Sequence, residues 1–174
     1  MQRSTANARA GWFPSAKDWL AALAGGSVGA ALALTWAVGV FSPQSYEGWA
    51  SPLFGAIARG AQLWFDTWFV FVYAVIVGTV TFSALRNRKM GVASSAAITT
   101  IAAGLTAGAL TWAVTAISGN GPIGVFLGLE MGAYVTAITL PMTFLSPWMA
   151  RHPVLAGAIV ATTLALLIWS STIS

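Results

Sequence analysis

The sequence contains no cysteine and few charged residues. Without cysteine, the chain has no disulfide framework, no thiolate nucleophile and no cysteine-bound metal. Eight Lys or Arg and four Asp or Glu occur among 174 residues, so that 7% are charged, whereas soluble domains contain about 25% charged residues. This scarcity of charge excludes an ordinary soluble domain. Because 57% of the residues are apolar, the composition indicates a membrane protein.

Patterns typical of catalytic and metal sites are also missing. The single histidine, His152, has no nearby His, Cys or carboxylate in the sequence that could complete a metal site. No serine nucleophile elbow, HExxH motif or carboxylate pair is present, and the glycine-containing turns follow no predicted strand. The formal charge of +4 is better explained by orientation in the membrane than by nucleic-acid binding. We therefore predict a protein that is not an enzyme, has no cofactor and binds no nucleic acid.

Five apolar stretches are long enough to cross a bilayer, which requires about 20 residues each. They comprise residues 19–41, 66–85, 92–117, 122–145 and 153–171. The breaks between them contain proline, glycine or basic residues, which are typical of turns. The sequence predicts an all-α fold, a polytopic transmembrane helical bundle in a single integral membrane domain, with residues 1–18 as a cytoplasmic tail.

The distribution of positive charge predicts the orientation of this bundle. Lys and Arg in short loops remain on the cytoplasmic side, while Asp and Glu contribute little. With the N-terminus inside, seven of the eight basic residues lie inside and only Arg59 lies outside. We predict a cytoplasmic N-terminus and an external C-terminus, with the bacterial inner membrane as the default location. The cluster of Arg86, Arg88 and Lys89 fixes topology in this interpretation and can also contact lipid headgroups.

The N-terminal residues have two alternative interpretations. A positive region before an apolar one resembles a signal sequence, but an apolar core of 23 residues exceeds the usual 7–15. The first seventeen residues also lack acids and contain Arg and Ser, as mitochondrial transit peptides do. We favour an uncleaved first span.

The connection between the first two predicted spans contains an amphipathic segment at residues 53–65. Its apolar residues share one helical face, while Arg59, Gln62 and Asp66 form a polar stripe opposite. This pattern predicts a short helix lying in the outer membrane interface. The alternative is that the second span begins early and tilts.

Glu130 is the one ionisable residue well inside a predicted span. It lies eight residues after Pro122, which corresponds to a depth of roughly 12 Å. A carboxylate there costs about 2.5–3.5 kcal/mol and should therefore face protein or water. It is either a proton or cation site, or a neutral acid that clamps two helices together. Tyr134, four residues later, shares its face and is a candidate hydrogen-bond partner.

Small residues recur at four-residue intervals in three of the predicted spans. Such spacing forms a smooth groove in which another helix can approach closely. The glycines concerned are Gly25, Gly29, Gly104, Gly108, Gly124, Gly128 and Gly132. Packing within the chain is one interpretation, and docking to a partner or to another copy is the other. Glu130 lies about 200° round the helix from Gly128, so it faces away from this groove.

These features favour a non-enzymatic subunit of a larger membrane assembly, such as one for transport, secretion or energy conversion. The expected partners are membrane lipids and other membrane subunits, or further copies of the chain. A small oligomeric transporter or channel that uses Glu130 is the alternative. A lipid-modifying enzyme comes third, because Glu47, Asp66 and His152 are scattered over both predicted surfaces.

Overall fold

A computed structural model describes residues 13–41, 68–119 and 121–173, with the side chains of residues 34–41, 121–122 and 170–173 outside the description. Every regular element in these ranges is an α-helix. The predicted all-helical fold class is therefore confirmed for this part of the chain. The predicted interfacial helix at residues 53–65 lies outside the described residues.

Five helices follow one another along the chain. Their bounds are Ala16–Phe41 (α1), Trp68–Asn87 (α2), Val92–Ile117 (α3), Gly121–Met149 (α4) and Pro153–Ile173 (α5). Three stretches within them are long and apolar enough to cross a membrane, with mean hydropathies of 2.0, 1.5 and 1.6. These candidate spans are Trp68–Asn87, Val92–Ile117 and Ile123–Met149.

The chain is thus a helical membrane protein, but five full spans are not confirmed. The last helix provides only a shorter apolar stretch, Pro153–Trp169. Among the residues with described side chains, which end at Ala33 in α1, the first helix supplies no such candidate, and its first turn carries Lys17 and Asp18.

The first helix begins three residues before the predicted span because Ser15 and Asp18 form a capping box. The Ser15 hydroxyl accepts a hydrogen bond from the Asp18 backbone N–H at 3.3 Å. The Asp18 carboxylate in turn accepts from the Ser15 backbone N–H at 2.8 Å. This reciprocal arrangement satisfies N–H groups that have no partner within the helix. It extends α1 into the predicted tail.

The turn between α2 and α3 is closed by backbone hydrogen bonds and a residue with a left-handed backbone. The N–H of Met90 donates to the carbonyl of Leu85 and that of Lys89 to the carbonyl of Arg86. This pattern is a Schellman motif, in which glycine usually occupies the left-handed position. Here Lys89 adopts it with φ of 62°. The basic cluster therefore also forms the turn.

The third and fourth helices are joined by a shorter turn. Gly119 has φ of 83° and is the left-handed residue after α3, a conformation that glycine adopts without steric cost. The fourth helix then continues to Met149, four residues beyond the predicted end, despite Pro141 and Pro147 inside it. A proline in a membrane helix is tolerated where neighbouring helices and hydroxyl groups satisfy the freed backbone.

The fourth helix is the centre of the bundle and contacts each of the other four. It runs antiparallel to α1, because Gly25 lies at Met142 and Gly29 at Ile138. It also runs antiparallel to α3, whose Gly104 and Gly108 lie at Gly132 and Gly128. The ends of α1, α2 and α4 that carry Asp18, Arg86 and Ala150 consequently meet at one end of the bundle.

Small residues occupy the interior, and large apolar side chains lie on the outside. The buried apolar residues are mostly alanines, including Ala24, Ala74 and Ala103 with no exposed surface. In contrast, Leu105 and Phe126 are 69% and 76% exposed. Close backbone packing inside and apolar residues outside suit a bundle surrounded by lipid, where the hydrophobic effect does not drive helices together.

Many hydroxyl groups of the described helices are satisfied locally, although the buried hydroxyls of Ser95, Thr99 and Thr100 have no hydrogen-bond partner. Hydroxyls that donate to the carbonyl four residues earlier are those of Ser27, Thr79, Thr106, Thr111, Thr115, Ser118, Thr139, Thr143 and Ser146. A hydrogen bond joins α2 to α3, where the Tyr73 hydroxyl lies 2.6 Å from Oγ1 of Thr106. Since the Thr106 proton is directed to its own helix, Tyr73 is the donor in this pair.

Candidate functional site

The glycines of α3 and α4 meet at a close helix crossing. A Cβ atom on Gly108 would lie 2.8 Å from the carbonyl oxygen of Gly128, and one on Gly128 would lie 2.8 Å from that of Gly108. One turn away, Gly104 and Gly132 have the same relation at 3.0 Å. Gly124 packs against Thr115. The backbones therefore approach more closely than any other residue type would allow.

A second crossing brings α1 onto a neighbouring face of α4. A Cβ on Gly25 would lie 3.0 Å from the Met142 Cα, and one on Gly29 would lie 2.7 Å from the Ile138 oxygen. The Ala137 carbonyl lies beside Gly29 as well, at 3.2 Å from that Cβ position. Because Pro141 has no N–H to donate to Ala137, the first helix covers a carbonyl that the proline leaves without its usual partner. Both glycine sets thus lie at contacts within the chain.

Glu130 lies on the exposed side of α4, away from the α3 crossing. Ile123 and Phe126, which precede it on the same side of the helix, are 58% and 76% exposed. It is the only Asp or Glu in the three candidate spans. The carboxyl group therefore projects from an apolar surface within a candidate span.

The predicted hydrogen bond between Glu130 and Tyr134 is not formed among the described residues. The hydroxyls of Thr111 and Thr115 in α3 donate to carbonyls of their own helix. The role of Glu130 as a clamp or a cation site stays a prediction.

An apolar groove of about 640 Å³ runs along the crossing of α3 and α4. Glycines of both helices form part of its lining, together with larger residues such as Leu105, Trp112 and Leu129. No ionisable side chain lines this groove. The groove therefore has no charged or acid–base group, and only its apolar shape could select what binds there.

A second cavity, of about 240 Å³, lies at the end of the bundle where α1, α2 and α4 meet. We call it the Arg86 cavity. Its lining includes two ionisable residues, Asp18 and Arg86, and the amide residue Asn87. Hydroxyl-bearing residues also line it, namely Thr79, Ser83, Thr143 and Ser146. Phe13, Phe82 and Met142 contribute apolar surface. It is the more polar of the two spaces.

Hydrogen bonds hold the charged groups of this cavity in place. Nη1 of Arg86 donates to the Met90 carbonyl oxygen at 2.6 Å, which ties the guanidinium to the α2–α3 turn. Oδ2 of Asp18 accepts from the hydroxyl of Ser15 at 2.6 Å as well as from its backbone N–H. Each of the two charged groups therefore has a defined position in the lining of the same space.

All described basic residues lie at this end of the bundle. They are Lys17, Arg86, Arg88, Lys89 and Arg151, at the ends of helices or in the turns that follow them. His152 lies in the turn before α5, where its Nδ1 is 2.9 Å from the Trp148 carbonyl oxygen. No group of three metal-ligating residues occurs in the described ranges.

Asp18, Ser83 and Asn87 are members of this site that the sequence alone did not indicate. One signal was available, since Thr79, Ser83 and Arg86 recur at intervals of four and three residues and so share a face of α2. What the spacing could not reveal is that the beginning of α1 and the end of α4 face them.

Comparison of the chain with protein-family models, with curated proteins and with solved structures finds no match.

Proposed function

We propose that the protein is a non-enzymatic integral membrane subunit of a larger membrane assembly for transport, secretion or energy conversion. The position of Glu130 is the observation that supports this role. Its carboxyl group is exposed on an apolar side of a candidate span. Ionisable groups in membrane helices almost always face protein or a water-filled cavity because contact with hydrocarbon is costly. A partner that covers this side of α4 would remove the cost.

The experiment is purification of the full chain in a mild detergent, followed by native mass spectrometry. We expect a defined complex larger than 18.0 kDa that contains other polypeptides in fixed stoichiometry. A chain that remains monomeric at every detergent concentration would contradict the proposal.

A small oligomeric transporter or channel is the second candidate, and the same carboxyl favours it. In a ring of identical chains, one Glu130 from each copy would line a shared path and could bind a proton or cation. A homo-oligomer without other polypeptides, active in ion flux after reconstitution, is the result that would select this candidate.

We further propose that the end of the bundle carrying Arg86 faces the cytoplasm of a bacterial cell and that all five helices cross the inner membrane. Clustering of the described Lys and Arg residues at this end supports the orientation, since positive residues near span ends remain inside. Twenty-one residues of α5 amount to about 31 Å, which matches the hydrocarbon thickness.

This topology predicts opposite results for reporters fused at two positions. A reporter that requires export, such as a periplasmic phosphatase, should be active when fused after Ser174 and inactive after Lys89. A cytoplasmic reporter should give the reverse pattern and serves as the control for expression. An active exported reporter at Lys89 would contradict the orientation.

A further inference from the structure

The Arg86 cavity contains one acidic and one basic side chain that do not neutralise each other. Asp18 and Arg86 both line it, and neither forms an ion pair with any described residue. A small cavity with two unpaired charges of opposite sign is complementary to a ligand that carries both signs. This observation concerns the end of the bundle and does not depend on Glu130 or on the proposed assembly.

Arg86 has hydrogen-bond donors left for an anionic group. One of its nitrogens donates to the Met90 carbonyl, whereas a guanidinium has five N–H donors in total. The guanidinium plane fits two oxygens of a phosphate or carboxylate at once. The basic side of the cavity therefore suits an anion such as a phosphate or a carboxylate.

Several of the other polar groups of the cavity present acceptors, while Ser83 and Asn87 also carry donors. Both hydrogen bonds that Asp18 receives end on Oδ2, and Oδ1 has none among the described residues. Hydroxyls of Thr79, Thr143 and Ser146 donate their protons to carbonyls of their own helices. Their oxygens can therefore only accept from a ligand. A group rich in N–H donors, such as a primary ammonium, matches this set.

Size and position restrict the ligand further. Pockets for drug-sized molecules occupy about 300–1,000 Å³, so a cavity of about 240 Å³ suits a compact group. It lies where two candidate spans end, at Asn87 and at Met149. Lipid headgroups occupy this level of a membrane.

We infer that the Arg86 cavity binds a phosphoethanolamine-type zwitterion. Its phosphate lies on Arg86, and its ammonium group lies between Asp18 and the hydroxyl oxygens. This chemistry is shared by the headgroup of phosphatidylethanolamine and by free phosphoethanolamine. The quaternary ammonium of choline lacks N–H donors, and a glycerol headgroup lacks the positive charge, so both fit the cavity less well.

The first test compares headgroups on the unmodified chain, purified in a neutral detergent and stripped of lipid. Short-chain phosphatidylethanolamine, phosphatidylcholine and phosphatidylglycerol are titrated, and bound lipid is measured by native mass spectrometry. We expect the ethanolamine lipid to bind about tenfold more tightly than either of the others, the effect of losing one charge-assisted hydrogen bond. Equal binding of the three lipids, or no binding of any, would overturn the assignment.

The second test uses matched variants. Arg86→Gln and Asp18→Asn should each weaken binding of the ethanolamine lipid about tenfold. Arg88→Gln removes the same charge from the same turn but does not line the cavity, and it should leave affinity unchanged. Ser15→Ala removes the capping hydroxyl but keeps the Asp18 carboxylate. It therefore distinguishes the contribution of the capping box at the start of α1 from that of the Asp18 charge. If Arg88→Gln weakens binding as much as Arg86→Gln does, surface charge explains the effect and the cavity assignment is wrong.

A third arm identifies the source of the ligand. Soluble phosphoethanolamine that binds with the same dependence on Arg86 and Asp18 identifies a free solute. Binding that requires acyl chains identifies the lipid. Either result supports the zwitterion site. The headgroup comparison on the unmodified chain keeps the inference testable even if a variant fails to fold.

Discussion

Gly108→Ala is expected to destabilise the protein by about 1–3 kcal/mol, the usual cost of inserting a methyl group into a well-packed interior. The added carbon would lie 2.8 Å from the carbonyl oxygen of Gly128. Because that atom belongs to the backbone, the two helices must move apart and lose contacts along the crossing. Unfolding in a titration of denaturing detergent, followed by circular dichroism, measures the change.

Gly157→Ala is the matched control for this substitution. Gly157 also lies inside a helix, but a Cβ there would meet nothing within 4 Å. Alanine has the higher helix propensity, so this variant should be neutral or more stable by up to about 1 kcal/mol. Equal tolerance of both substitutions would show that the crossing is looser than described.

Combining substitutions tests the crossing itself. Gly128→Ala should cost less in the background of Gly108→Ala than alone, because the helices have already separated. In Gly29→Ala the added methyl would lie 2.7 Å from the Ile138 oxygen, at the contact of a different pair of helices. The destabilisation by Gly29→Ala and that by Gly108→Ala should therefore be close to additive. Coupling between contacting sites and additivity between distant ones are the usual pattern.

Glu130→Leu is expected to stabilise the isolated chain and to weaken its assembly. Exchange of an exposed intramembrane acid for leucine favours insertion by about 3 kcal/mol on translocon scales. The same substitution removes the carboxyl group with which the partner would form a hydrogen bond. Native mass spectrometry should therefore show a stable chain with a smaller assembled fraction.

Glu130→Gln separates the structural role from the titrating one. Gln keeps the shape and a hydrogen-bonding head but does not ionise. For a subunit in which Glu130 is a neutral clamp, assembly should remain near normal, whereas Glu130→Ala should lose about 0.6–2 kcal/mol, the range for hydrogen bonds between membrane helices. A Gln variant that assembles but no longer supports ion transport would instead favour the transporter.

The amino-acid sequence by itself determined the helices and their approximate bounds. Apolar stretches of about 20 residues, the proline and glycine residues between them and the basic cluster at Arg86 are all local features. The predicted third span, residues 92–117, coincides with α3. The observed bounds differ from the predicted ones where side chains form hydrogen bonds with the backbone. At the Ser15–Asp18 capping box, such bonds start α1 earlier than hydropathy predicts.

The tertiary structure alone decided which faces meet. Four-residue spacing identified Gly104, Gly108, Gly128 and Gly132 as contact residues, but only the crossing shows that they contact one another. The Arg86 cavity combines residues from α1, α2 and α4, and periodicity within one helix has no information about its neighbours. Helices in lipid are held together by close packing and hydrogen bonds rather than by hydrophobic burial. Hydropathy therefore predicts where a chain crosses the membrane, while shape and hydrogen bonding determine what its helices enclose.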